Sequence, residues 1–248
     1  MNRLKDKVAI VTGASKGIGA GIAKSLGAEG ASVVVNYASS PEGADRVVAE
    51  IKSQGGKAIA VQGDVSKAAD VRRLFEETKK TFGTLDVLVN NAGVFEFHPL
   101  EDVTETEFHR HFNINVLGPI LTTQESLKYF GAAGGSVINI SSVVGANPVP
   151  NSVVYSATKG ALNNVTRTLA KELASKNIRV NTIAPGGVET EGTHTAGIIG
   201  SDLEKQMVAG TPLGRIGQPK DIATVAVFLA SDDAGWLTGE RITASGGL

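Results

Sequence analysis

The sequence has no cysteine, which rules out disulfides, cysteine nucleophiles and thiolate metal sites and is compatible with a reducing compartment. It has no excess of charge either: 24 Lys and Arg face 25 Asp and Glu, for a formal net charge of −1. With no basic stripe above that balance, nucleic acid is not an expected partner. Long hydrophobic runs are also missing. The longest strongly apolar stretch, residues 223–230, is far shorter than the roughly 20 residues a membrane helix needs. The apolar run at 8–11 is too short for the core of a signal peptide. A soluble, cytoplasmic protein that does not engage membranes is therefore expected. Histidine is scarce, at His98, His109, His111 and His194. His109 and His111 lie two apart on a helical segment and point to different faces, a poor metal pair, so no metal site is expected.

What the chain does have is length and glycine. Its 248 residues are 42% hydrophobic and include 30 glycines, a globular, turn-rich composition. A domain of this size buries roughly 70–75% of its unfolded surface and needs no metal or disulfide to be stable. Short β-branched runs at 8–11, 32–36, 57–61, 85–90, 137–140 and 178–183, with a weaker one at 241–243, read as strands. They are continuous rather than alternating, as expected for parallel strands covered on both faces. Helical patterns lie between them at 17–29, 42–53, 67–82, 105–130, 152–175 and 219–231; in the third, Val71, Leu74, Phe75 and Phe82 form one stripe. Strand and helix in alternation predict a doubly wound, Rossmann-type α/β fold, with a mostly parallel seven-stranded sheet and helices on both faces. No repeat or linker interrupts the chain, so residues 1–248 are expected to be one domain. The stretch 186–214 is rich in Gly and Thr and shows no clear period; it is the candidate for a substrate lid.

Directly after the first strand comes Thr12-Gly13-Ala14-Ser15-Lys16-Gly17-Ile18-Gly19, and a helix follows. Glycines there let the backbone approach a pyrophosphate, which the N–H groups and dipole of the following helix would hold. The same residues also match G-x-S-x-G, the nucleophile elbow of α/β-hydrolases, with Ser15 as nucleophile. That motif borrows an oxyanion-hole N–H from a loop after an earlier strand, and only one strand precedes Ser15, so the dinucleotide reading is preferred. Further along stand Ser142, then Tyr155, then Lys159. Four-residue spacing on a helix stacks Tyr155 and Lys159 on one face. An ammonium beside a phenol favours the phenolate and draws the tyrosine below its ordinary pKa of about 10. Such a tyrosine exchanges a proton with a carbonyl or alcohol oxygen, to which Ser142 donates a hydrogen bond.

Taken together, Thr12-Gly13, Gly17-Ile18-Gly19, Asn90-Asn91-Ala92-Gly93, Asn115, Ser142, Tyr155-Ser156-Ala157-Thr158-Lys159 and Pro185-Gly186 occur in the order and approximate spacing of the short-chain dehydrogenase/reductases, and the chain resembles that family over nearly its whole length. The resemblance implies hydride transfer between a nicotinamide dinucleotide and a ketone, aldehyde or secondary alcohol. Tyr155 would be the general acid/base. Lys159 would tune it and bind the nicotinamide ribose, Ser142 would orient the substrate oxygen, and Asn115 would anchor a relay water. Asn113, two residues earlier, is the rival for that last role, as Ser141 is for Ser142. Gly13, Ser15, Lys16, Gly17, Ile18 and Gly19 would hold the pyrophosphate. Asn91, Ala92 and Gly93 would line the cofactor, Asp64 and Val65 would meet the adenine, and Pro185, Gly186, Val188 and Thr190 would hold the nicotinamide side.

At the end of the second strand, where an acid would bind the ribose 2′-hydroxyl and repel a 2′-phosphate, the chain has Asn36, then Tyr37, Ala38, Ser39 and Ser40. Asn36, Ala38 and Ser39, with Lys16, favour NADP(H), with NAD(H) still open. This run resembles NADPH-dependent trihydroxynaphthalene reductases and 3-oxoacyl-carrier-protein reductases. Residues 128–134 lack the basic cluster an acidic acyl-carrier partner would require, although Lys171 stands at one expected basic position. A carbonyl reductase is therefore ranked above the acyl-carrier enzyme, and both above a non-catalytic dinucleotide sensor. Phe95, Phe97, Val144, Val149 and Ile198 suggest an apolar substrate pocket. The helices at 105–130 and 152–175 correspond to those that build family interfaces, so a homotetramer is expected.

Overall fold

The computed structural model describes residues 2–248. Each apolar run forms a strand, since Val and Ile side chains fit a pleated surface covered on both faces. These are β1 (Val8–Val11), β2 (Ser32–Tyr37), β3 (Lys57–Gln62), β4 (Val87–Asn90), β5 (Gly135–Ile140), β6 (Ile178–Pro185) and β7 (Arg241–Ala244). Among the described residues they make one sheet in the order β3-β2-β1-β4-β5-β6-β7, and every pair is parallel. The fold is a Rossmann-type α/β fold, its sheet wholly parallel where a mostly parallel one was expected.

The helices in chain order are α1 (Gly17–Ala28), α2 (Pro41–Ser53), α3 (Ala68–Phe82), α4 (Glu105–Phe112) and α5 (Gly118–Ser126). After these come α6 (Val153–Leu173), α7 (Glu191–Thr195), α8 (Asp202–Gly210) and α9 (Pro219–Ala230). The period of two along each strand divides the core between two faces. Ala9, Val11, Val33 and Val35 join the α1, α2 and α9 residues Ile22, Leu26, Val47, Ile51 and Val227. Ile10, Val34 and Leu88 join Val71, Leu74 and Phe75 of α3 and Ala170 and Leu173 of α6. No helix among the described residues is long and apolar enough to cross a membrane.

Two expectations need correction. The helix predicted over 105–130 is broken: α4 and α5 flank a π-turn at Asn113–Leu117. The wide turn swings Asn115 inward, where it is buried and bonded to the backbone of Val94 and the hydroxyl of Thr158; turns of this kind are frequent at functional sites. The second correction concerns 186–214, which holds α7 and α8. Each starts on a hydroxyl cap, Thr190 accepting from Thr193 N and Ser201 from Glu204 N. Helices of five and nine residues are too short to leave a readable period.

The order of the strands fixes where a site forms. From β1 the chain steps outward to β2 and β3, then returns to β4 on the other side of β1. The loops leaving the carboxyl ends of β1 and β4 therefore part in opposite directions and open a crevice between them, the switch point at which ligands bind in such sheets.

Candidate active site

A cleft of about 660 Å³ lies at that crevice. Its floor is the loop from β1 to α1. Gly13 has φ +60°, and a Cβ there would come within 2.8 Å of the Ala92 Cα, so the turn requires glycine. Thr12 locks the two crevice loops together: its hydroxyl accepts from the N–H groups of Asn91 and Ala92, both at 3.0 Å. The Asn91 side-chain amide returns the contact, donating to the carbonyls of Thr12 at 2.9 Å and Gly13 at 3.0 Å. At the start of α1, the Gly17 N–H donates to the Glu191 carboxylate at 2.9 Å. The anion-seeking end of the helix thus already faces an acid from the 186–214 segment, a contact sequence spacing could not reveal.

Asn36 departs from its expected role. It is buried, and its amide donates to the carbonyls of Val61 at 3.2 Å and Gly63 at 3.0 Å while its oxygen accepts from Gly13 N at 3.2 Å. Both N–H groups are engaged, so Asn36 braces β2, β3 and the glycine loop and has no donor left for a phosphate. Ala38, Ser39 and Ser40, with Lys16, line that end of the cleft. Asp64 and Val65 also line it, and the Asp64 carboxylate is turned to Ser66, accepting from its N–H at 3.0 Å and its hydroxyl at 2.7 Å.

The other end holds Ser142, Tyr155 and Lys159. Ser142 follows β5 and caps the turn at Val143–Gly145. Ser141, its neighbour, is buried and donates instead to the Lys159 carbonyl at 3.2 Å. Tyr155 and Lys159 share one face of α6, with the Lys159 Nζ 5.6 Å from the Tyr155 ring centroid and donating to the Ile140 carbonyl at 2.9 Å. Burial pushes the Tyr155 phenol up to about 12, with a hydrogen bond from Ser142 pulling the other way. Burial also pushes the Lys159 ammonium down to about 8. The lysine was expected to draw the phenol below its ordinary value; in this site burial raises it instead, and the opposing pull comes from the Ser142 hydrogen bond. Asn115 stands behind them, and both of its amide hydrogens are engaged: Nδ2 donates to the Val94 carbonyl at 2.9 Å and the Thr158 hydroxyl at 3.1 Å, and Oδ1 accepts from Val94 N at 2.9 Å. Asn113, the rival candidate, is exposed.

Pro185, Gly186, Val188 and Thr190 complete the expected set along the cleft wall. Phe95 and Phe97 flank Tyr155, with ring centroids 6.2 and 5.8 Å from it. Val144 and Ile198 line the cleft as expected; Val149 is 48% exposed and belongs to the outer surface. Arg110 and Met207 also reach the cleft and escaped the sequence reading. Both sit on helices whose register toward a cleft is set by packing, not by a motif.

Known proteins share this fold. Residues 13–248 match the family model described as enoyl-(acyl carrier protein) reductase. A short-chain dehydrogenase from Burkholderia cenocepacia, solved in complex with NADP, superposes with a TM-score of 0.93 at 34% identity, covering 99% of each chain. The chain belongs to the short-chain dehydrogenase/reductase family. It is therefore an oxidoreductase acting between carbonyl and alcohol, and the hydrolase reading of Ser15 is set aside. Two curated members are similar along nine-tenths or more of their length. An uncharacterized oxidoreductase of Methylorubrum extorquens is 62% identical over 100% of both chains. The tetrahydroxynaphthalene reductase of Pyricularia oryzae is 43% identical over 98% of this chain and 90% of its own.

Proposed function

We propose that this short-chain dehydrogenase/reductase reduces a planar aromatic ketone with NADPH, using Ser142, Tyr155 and Lys159 with Asn115 behind them. One observation carries the reading: Ser142, Tyr155 and the buried Lys159 open into the same cleft as the glycine loop. The loop fits a dinucleotide, because the space a Cβ at Gly13 would fill lets the backbone approach a pyrophosphate. Gly13, Ser15, Ile18 and Gly19 would hold that group, joined by Gly17 once the Glu191 carboxylate leaves its N–H; Asp64 and Val65 would hold the adenine, and Asn91, Ala92 and Gly93 the middle of the molecule. Pro185, Gly186, Val188 and Thr190 would hold the nicotinamide side. When bound, the dinucleotide supplies the hydride.

The protein's part is to manage the oxygen. The Ser142 hydroxyl donates a hydrogen bond to the substrate carbonyl. The Tyr155 phenol, raised to about 12, stays protonated through the neutral range and donates its proton to that oxygen as negative charge grows on it. Lys159, charged below about pH 8, faces the tyrosinate this leaves and steadies it. A positioned acid of this kind contributes roughly 10²–10⁴ in rate.

Preference for NADPH follows from the adenosine end, where Lys16, Ala38, Ser39 and Ser40 offer hydroxyls and a cation and no carboxylate to repel a 2′-phosphate. The NADP complex of the Burkholderia relative supports it. The planar substrate follows from the Phe95 and Phe97 rings around Tyr155, since offset stacking and edge contacts favour flat aromatic partners; the name of the Pyricularia relative points the same way. The segment 186–214 acts as the lid of a single domain, and the exposed apolar residues Phe108, Leu117, Ile120 and Val153 on α4 to α6 form the interface of a homotetramer. The test is nicotinamide consumption with NADPH or NADH and two ketones, one a bicyclic aryl ketone and one short and aliphatic. NADPH with the aryl ketone should be the fastest pair. Equal rates with both cofactors would overturn the NADPH reading, and a preference for the aliphatic ketone would overturn the aromatic one.

A further inference from the structure

The loop after β4 carries a second cluster on the side away from Tyr155. Phe95 and Phe97 line the cleft, and the residues that alternate with them, Glu96 and His98, turn toward α4. There Glu96, His98 and Glu107 each offer one ligand atom, and these atoms lie within 4.8 Å of one another. Glu107 is the telling member. It is only 8% exposed, and among the described residues its carboxylate has no hydrogen-bond or ion-pair partner; its bonds run through its backbone, N–H to Thr104 and carbonyl to His111. A carboxylate so largely covered and without a protein partner is favoured by a group of opposite charge, and a metal ion is one. Glu96 is oriented by an ion pair from Arg110 to its Oε1, which leaves Oε2 free.

We propose that Glu96, His98 and Glu107 bind one divalent transition cation of the zinc class. Glu107 brings an unshared negative charge to such an ion, and Glu96 one that it shares with Arg110. The imidazole in the set selects against magnesium and calcium, which take oxygen ligands, and in favour of zinc. Bonds of about 2.0–2.2 Å draw the three groups inward, and a water completes a tetrahedral shell. Sequence spacing hides the site because two ligands come from a loop and the third from the helix after it. The cation clamps the loop between its existing anchors. One is Val94 N donating to Asn115 Oδ1 at 2.9 Å. The other, His98 N donating to the Asn151 carbonyl at 2.8 Å, ties the loop to the turn before α6. Held at both ends and in the middle, the loop fixes Phe95 and Phe97 against Tyr155.

The test is calorimetric titration of the tag-free chain with Zn²⁺, with Mg²⁺ as a control, together with thermal melting with and without Zn²⁺. The expected result is one equivalent of Zn²⁺ bound and a higher melting temperature, with no response to Mg²⁺. His98→Ala and Glu107→Gln should each weaken binding at least about tenfold and abolish the melting shift. His109→Ala and His194→Ala should leave both unchanged; these residues form separate surface pairs with Glu105 and Glu189. If Glu107→Gln does not fold, His98→Ala on the loop carries the same test. No Zn²⁺ binding, binding that survives His98→Ala, or binding lost with His109→Ala or His194→Ala would overturn the proposal.

Discussion

At Tyr155 and Lys159 the same burial moves two groups in opposite directions, the phenol up to about 12 and the ammonium down to about 8. The lysine's folded value lies below its ordinary 10.5, so holding it charged in the core costs stability at neutral pH. That cost is relieved as pH rises from about 8 toward 10.5. Lys159→Met, which keeps the length and removes the charge, should therefore abolish reduction yet raise the melting temperature at pH 7, with the gain shrinking at higher pH. Melting curves across that range check this, and a variant that melts lower at pH 7 would contradict it. Phe97→Ala, which removes one of the rings beside Tyr155, should cut kcat/KM for an aryl ketone about tenfold and leave NADPH affinity unchanged, as steady-state kinetics and a binding titration will show. Ser142, Tyr155 and Lys159 were legible in the sequence because a strand end and a four-residue helical spacing fix where they point. The pKa of the phenol was not, because it depends on how much protein covers the ring.

Among the elements, the strands read most cleanly and their ends least. Asn36 stands one residue before the end of β2, and nothing in a continuous apolar run says which of two successive end residues turns under the glycine loop. Asn36→Asp, the obvious change for converting the cofactor preference, should instead destabilise the protein. It removes the donors to Val61 and Gly63 and buries a charge, at about 1–3 kcal/mol for each partner left unsatisfied. Denaturant unfolding tests this, and a variant of unchanged stability would contradict it. The π-turn was hidden for a related reason, since the helical pattern runs on through it. So was the polar chain beneath the site. Thr122 donates to Asn90 at 2.7 Å, Asn90 to Asn139 at 2.9 Å and Asn139 to Thr166 at 2.8 Å, and Thr166 meets Thr182 at 2.7 Å. This chain crosses β4, β5 and β6 and ties them to α5 and α6, and its members are buried. Patterns that count apolar residues cannot see it.

For the molecule as a whole, alternation of strand and helix was enough to place the sheet and both covering layers, because a parallel sheet leaves few ways to connect the same elements; the crevice follows from the strand order, which the alternation does not give. The helices α7 and α8 and the cluster at Glu96, His98 and Glu107 depend on packing between distant segments and were out of reach. The apolar face over α4 to α6 predicts a homotetramer in light scattering at micromolar concentration, and a monomer there would contradict it. The most direct test of the proposed chemistry compares wild type with Tyr155→Phe, following NADPH consumption with an aryl ketone alongside NADPH binding. Turnover should fall by roughly 10²–10⁴ while NADPH binds as before. A variant that keeps more than about a tenth of wild-type turnover would show that Tyr155 is not the acid.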